Sequence, residues 1–275
     1  MSNYYYILSG LPQLSLENTL QESDLDEAWS LIKRNASSED LEQISWFLRR
    51  NDLFNLLESW QHRYLTYPYR PLRKPYSLSR KEISVINKAP GLLNPIFHAY
   101  YERVISDMPH WSANEMDRKW LRYFFHKVDA EAKAFIRDLF SFERYVRALM
   151  ATFNQGVYSF VNKEFVYTDE LIRSQLIKGN VQLSERQKLS QPFLESLLKA
   201  LATKDPQSIS NAVHQVLWDK ADELAYGHYF DQFALLNYCS KLFLIYRREQ
   251  LSQNHQKPFL KDLLEAATKD IKQHD

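Results

Sequence analysis

The chain reads as an all-α protein of about ten helices, and three observations carry that reading. Glycine is scarce, five residues in 275, where ordinary usage of roughly 7% would supply about nineteen; sheet folds lose their usual turn punctuation at that level. Apolar residues recur at three- and four-residue spacing through most of the sequence, the period of an amphipathic helix. The stretch from Ser112 to Gln155 contains neither glycine nor proline, which leaves room for one or two long helices.

Taken in order, "YYYIL" at 4–8 is too short for periodicity to choose between a strand and a first helical turn. Ser23 precedes a segment with Leu25, Ala28, Trp29 and Ile32 on one face. Ser38 begins another, with Leu41, Ile44, Phe47 and Leu48 in register. Asn51-Asp52 predicts a break, Asp52 capping a third run through Leu53, Leu56, Leu57 and Trp60.

Residues 61–90 hold four of the ten prolines, and "YLTYPYRPLRKPYSLSRKE" predicts a long extended connection rather than a helix. Ser112 and Glu115 form a capping-box pattern. Beyond them Phe135, Ile136, Leu139, Phe140, Val146, Leu149, Met150 and Phe153 keep a rough 3.6 period until Gly156, the expected end. The stretch 157–167 is short and aromatic. Further helices are expected at 168–178, 184–203 (with Pro192 interrupting or restarting it), 206–226, 231–250 and 258–272. Asp205-Pro206 and Lys257-Pro258 put proline at the first helical position, where its missing amide costs nothing. A loose repeat joins "FSFERYVRALM" to "LNYCSKLFLIYRREQL", helices rich in aromatics and arginine. Three segments follow from the breaks: 1–90, 91–200 and 201–275.

Composition excludes several function classes. The net charge of +1 gives no global field toward nucleic acid or an anionic membrane. The single cysteine, Cys239, excludes an internal disulfide framework and a cysteine-rich metal site, and a reducing cytoplasm is the expected home. In "LLNYCSKLFL" that thiol is expected to be buried and inert. The opening lacks a basic leader, and its apolar run is broken by Ser9, Gly10 and Pro12, so no signal peptide is expected. No run of about 18 apolar residues suggests a membrane span.

No phosphate-loop or dinucleotide fingerprint occurs. His98 and Glu102 could share a helix face, but Pro109 separates Asp107 from His110, and no Glu-x-x-His pair exists for a di-metal bundle. No nucleophile motif is present, and none of the 34 carboxylates is singled out. The expectation is therefore no catalytic residues, no metal, no cofactor and no small-molecule substrate, hence an adaptor or structural subunit rather than an enzyme.

One electrostatic feature is segmental. Residues 1–60 hold ten acidic and four basic residues, net −6; residues 61–90 hold seven basic and one acidic, net +6. Tyr64, Tyr67, Tyr69 and Tyr76 interleave with Arg63, Arg70, Arg73, Lys74 and Arg80. Arginine among aromatics can bind single-stranded nucleic acid by stacking and charge, which makes residues 63–81 a candidate surface. The simpler reading is a basic strap lying over the acidic helices of its own chain. A third is a basic docking loop for a protein partner, with Arg70, Arg73, Lys74 and Arg80 as candidate contacts. The aromatic load of 14% fits either a core or an interface.

Three stretches carry a resemblance. "YYYILSGLPQL" resembles the opening of a bacterial family of uncharacterised proteins associated with V-type ATPase genes. "LFSFERYVRALMATFN" (139–154) and "YFDQFALLNYCSKLFLIYRREQL" (229–251) also look like that family. More distantly, both resemble the repeated helix, ending in arginine, of the C subunit of V/A-type ATP synthases, which is subunit d of the eukaryotic V-ATPase. Tyr246 and Val146 stand where that helix carries asparagine before its arginine. The resemblance implies a funnel of helical lobes that seats the central stalk on the membrane proteolipid ring and passes torque for ion transport. It implies a cytoplasmic subunit, peripheral to the inner membrane through its partners, with no nucleic acid bound. It also implies that the tyrosine-rich start threads into the core. A stand-alone protein-binding scaffold or regulator is the alternative.

Overall fold

The structure, a computed structural model, describes residues 4–17, 21–65, 72–86, 113–158 and 192–256. Within them are nine helices and no strand: α1 Tyr4–Ser9, α2 Glu22–Asn35, α3 Ser38–Leu65, α4 Arg80–Ile86, α5 Ala113–Glu131, α6 Ala134–Tyr158, α7 Pro192–Thr203, α8 Pro206–Leu224 and α9 Gln232–Gln256. The all-α expectation holds. The expected helices 168–178 and 258–272, the Ser112 cap, the Lys257-Pro258 start and the His98 and His110 pairs lie outside the described residues.

The opening stretch is helical. Ile7 is fully buried, while Tyr5 and Tyr6 are exposed. Half-buried Tyr4 donates from its hydroxyl to Asp40 Oδ1 at 3.1 Å. So the start is pinned by Tyr4 and Ile7 rather than threaded in whole. Helix α2 begins before Ser23, where the Gln21 amide donates to Asp24 Oδ2 at 3.2 Å, and it buries Leu25, Ala28, Trp29 and Ile32 as its spacing requires.

The expected break at Asn51-Asp52 is absent, because α3 runs unbroken through it. Both side chains find partners in the segment 72–79, so polar residues that would cap a new helix here fasten a second piece of chain. The long proline-free stretch resolves into two helices, α5 and α6. Gln43 Oε1 on α3 accepts from the Lys133 amide at 3.0 Å at their junction. Gly156 does not end α6, which continues to Tyr158. The connection 61–90 is not extended throughout: α3 reaches Leu65, and α4 starts at Arg80, where the Ser79 amide donates to Glu82 Oε2 at 2.7 Å. Pro192 starts α7. Asp205 caps α8 by accepting from the Gln207 and Ser208 amides, with Pro206 at the first position. Helix α9 runs six residues past its expected end at 250.

Buried side chains from all three sequence segments form one core reaching from Ile7 to Tyr246. Helix α3 packs against α4, α5 and α9; α6 packs against α5, α8 and α9; α9 also touches α1. Most of the described tryptophans and phenylalanines are core. Trp60 meets Trp120 edge-on at 5.4 Å between α3 and α5, and Phe124 meets Phe140 at 5.2 Å between α5 and α6. Among the described residues, the exposed large aromatics are tyrosines 5, 6, 226 and 229 and Phe230.

Candidate functional site

Helices α3, α6 and α9 converge on a two-layer arrangement. The lower layer is aromatic, one ring from each helix. Phe47 stacks on Phe243 at 4.6 Å and meets Phe140 at 5.4 Å. One helical turn further along each helix, at three or four residues, stand Arg50, Glu143 and Arg247. The upper layer is therefore ionic because the same helix faces carry it.

Glu143 is the hub. Its side chain is 6% exposed, and its Oε1 takes Arg50 Nη2 at 2.5 Å, Arg147 Nε at 2.9 Å and Arg247 Nη1 at 3.6 Å. Burial by itself would raise the Glu143 carboxyl, but Arg50, Arg147 and Arg247 hold it down at about 2. Burial pulls Arg50 down to about 9 against the pull of Glu143. Burial and the neighbouring Arg147 take Arg247 down to about 10. Arg247 keeps 37% of its side chain exposed, yet its Nη1 is sealed from solvent and makes no hydrogen bond. Beside this cluster on α8, His214 places Nδ1 2.7 Å from the Ser210 carbonyl, which identifies Nδ1 as the protonated nitrogen. Burial, and then Arg247, lower His214 to about 4.

The strap closes one side. Residues 72–79 lie along α3 and are held by their backbone groups as well as by side chains. Asn55 Oδ1 accepts from the Arg73 amide at 2.7 Å, and Asn55 Nδ2 donates to the Arg73 carbonyl at 3.2 Å. Asn51 Nδ2 donates to the Lys74 and Pro75 carbonyls at 3.0 and 2.9 Å, across a cis Lys74-Pro75 bond. Asp52 accepts from the Ser77 and Leu78 amides at 3.0 Å each and from the Ser77 hydroxyl. Arg73 pairs with Glu58 at 2.6 Å and lies over the Phe54 ring at 4.1 Å, and Lys74 stands 3.7 Å from Asp26 on α2. Asp26 in turn accepts from the Tyr246 hydroxyl of α9 at 2.8 Å.

Of the four basic residues marked in the sequence, Arg73 and Lys74 are thus brought to one cleft, each facing an acidic residue of its own chain. Arg80 stands apart as the exposed first residue of α4, and Arg70 lies outside the described residues. Arg50, Glu143, Arg147 and Arg247 were not singled out by sequence reasoning. The signal that could have found them is the loose repeat itself, whose two arginine-bearing helices meet at Glu143.

The cleft encloses about 60 Å³, with Phe47, Phe54, Leu139, Leu217 and Leu244 among its apolar walls. Its chemistry is electrostatic. Cys239 is fully buried, and burial raises its thiol well above the usual range, so it is no nucleophile. Among the described residues no three His, Cys, Asp or Glu side chains gather as a metal set, and no helix is long and apolar enough to cross a membrane.

No curated protein and no solved structure matches the chain. A family match spans residues 1–271, and the chain accordingly belongs to the family described as protein of unknown function (DUF2764).

Proposed function

We propose that this protein is a non-catalytic connecting subunit of a bacterial V/A-type ATPase, seated between the central stalk and the proteolipid ring and passing torque for ion transport. The choice of complex rests on the sequence resemblance at residues 4–14, 139–154 and 229–251. The observation that carries a protein-binding role is an exposed aromatic ridge at one end of the core. Tyr226 and Tyr229 are 89% and 76% exposed, Phe230 is exposed beside them, and Tyr5 of α1 lies 5.0 Å from Phe230, ring to ring. Gly227, at φ +82°, lets the chain turn back between α8 and α9 and holds this loop out. Exposed tyrosine and phenylalanine at this density are the composition of an interface centre rather than of a solvated face. A glycine-poor core locked by a buried ion cluster suits a part that must transmit force without yielding.

The test is co-purification of the tagged protein from native membranes in mild detergent, with subunits counted by mass. One copy alongside the catalytic hexamer, stalk and proteolipid ring supports the reading, and a Tyr229→Ser/Phe230→Ser variant should lose that association while folding normally. Recovery as a free protein, without ATPase subunits, overturns it and leaves a stand-alone scaffold.

A further inference from the structure

The cluster at Glu143 does not balance. Arg50, Arg147 and Arg247 supply three positive charges and share one carboxylate. The other two cations at the cleft, Arg73 and Lys74, face Glu58 and Asp26. Arg147 is 30% exposed and stands outside the cavity lining, so among the described residues one positive charge, that of Arg247, remains over a site with aromatic and aliphatic walls. Unmatched charge in such a place is costly, and proteins that retain it match it with an anion. Arg247 Nη1 is sealed against Glu143 Oε1 at 3.6 Å without a hydrogen bond, while the side chain as a whole lines the cleft and keeps 37% of its surface open. Space is available beside it: the cleft's 60 Å³ is several times the ~10–15 Å³ that a single water needs. Guanidinium forks match the oxygens of a carboxylate or phosphate, and Arg73 and Arg247 line the same cavity.

We infer that this cleft is a binding site for a small oxyanion, a phosphate or carboxylate group carried on a compact molecule. The group sits between Arg247 and the strap residue Arg73, above the Phe47–Phe243 stack. Its ligands come from α9 and from the strap, so binding also tightens the strap against α3. This site does not depend on the connector reading.

The experiment is calorimetric titration and thermal unfolding of the full chain at low ionic strength and pH 7, with inorganic phosphate in one arm and benzoate in the other. Saturable binding at one per chain is expected from at least one probe, with a rise in Tm that sodium chloride at matched ionic strength does not reproduce. Phosphate alone identifies a phosphate site; benzoate alone identifies a carboxylate on an apolar body. Arg247→Gln should weaken binding at least tenfold and Arg73→Gln several-fold, while Lys199→Gln on α7 changes nothing. Should Arg247→Gln fail to fold, the more exposed Arg73→Gln decides. No saturable binding of either probe, or binding unchanged in the cleft variants, overturns the inference.

Discussion

Two neighbouring faces of α3 carry polar groups inward, and they are satisfied in opposite ways. At Asn51, Asp52 and Asn55 the partners are the backbone amides and carbonyls of residues 73–78, and donors match acceptors almost one for one. At Arg50 the partner is a single carboxylate already shared with two other arginines. The first face is a fastening: neutral or singly charged, locally complete, and specific because backbone geometry sets it. The second is an electrostatic knot whose members depend on one another. Removing one hydrogen bond from the fastening leaves the rest in place, whereas removing Glu143 from the knot leaves three guanidiniums repelling one another.

The largest expected effect tests that contrast. Glu143→Gln keeps the shape but leaves the arginines unpaired, and should destabilise by ~3–5 kcal/mol in denaturant unfolding. A double variant, Glu143→Gln with Arg50→Met, should recover part of the loss; no recovery would mean that the arginines are not coupled through Glu143.

Acid should act on the knot next. Glu143 titrates in the fold at about 2 against an ordinary 4.5, so its stabilising charge is fully present above pH 4.5 and is lost as pH falls from there toward 2. His214 is held neutral, at about 4 against 6.5, so protonation favours the unfolded chain as pH falls from 6.5 to 4. The His214 loss should approach ~3 kcal/mol by pH 4. Unfolding midpoints measured from pH 7 to 4 should fall for the wild type and flatten for His214→Gln. Asp52 on the fastening face has the opposite sign. Burial raises its carboxyl in spite of the Ser77 and Leu78 hydrogen bonds, so it gives no comparable loss as pH falls.

Asn55→Ala should cost ~1–3 kcal/mol, because it leaves the Arg73 amide and carbonyl without their side-chain partner. It should also speed proteolysis at residues 72–79 relative to the rest of the chain. A cut rate unchanged by Asn55→Ala would show that the fastening is not what holds the strap. The smallest effect is expected at the exposed pair of Lys133 with Glu39, where Lys133→Ala should cost less than ~1 kcal/mol.

Much of the helical framework was legible because it is a local matter. The spacing of Leu25, Ala28, Trp29 and Ile32 requires an amphipathic helix whatever lies beyond it, and Asp205-Pro206 marks a helix start from two adjacent residues. The basic strap over acidic helices could also be read from segmental charge, since Arg73 and Lys74 did find Glu58 and Asp26. Asn51-Asp52 misled for an instructive reason. The same side chains that cap a helix by taking backbone amides can take amides from a distant segment, and only the fold decides which.

What the sequence determined by itself is the class of fold, the main helices and the lack of a phosphate loop or nucleophile motif, all functions of residue type and near-neighbour spacing. What only the tertiary structure decided is the meeting of Arg50, Glu143, Arg147 and Arg247, residues drawn from three helices across some two hundred positions. Each is an ordinary charged residue in its own helix. The meeting of three cations on one anion among the described residues arises only when α3, α6 and α9 are packed on one aromatic layer, because burial turns a solvated charge into one that needs a partner.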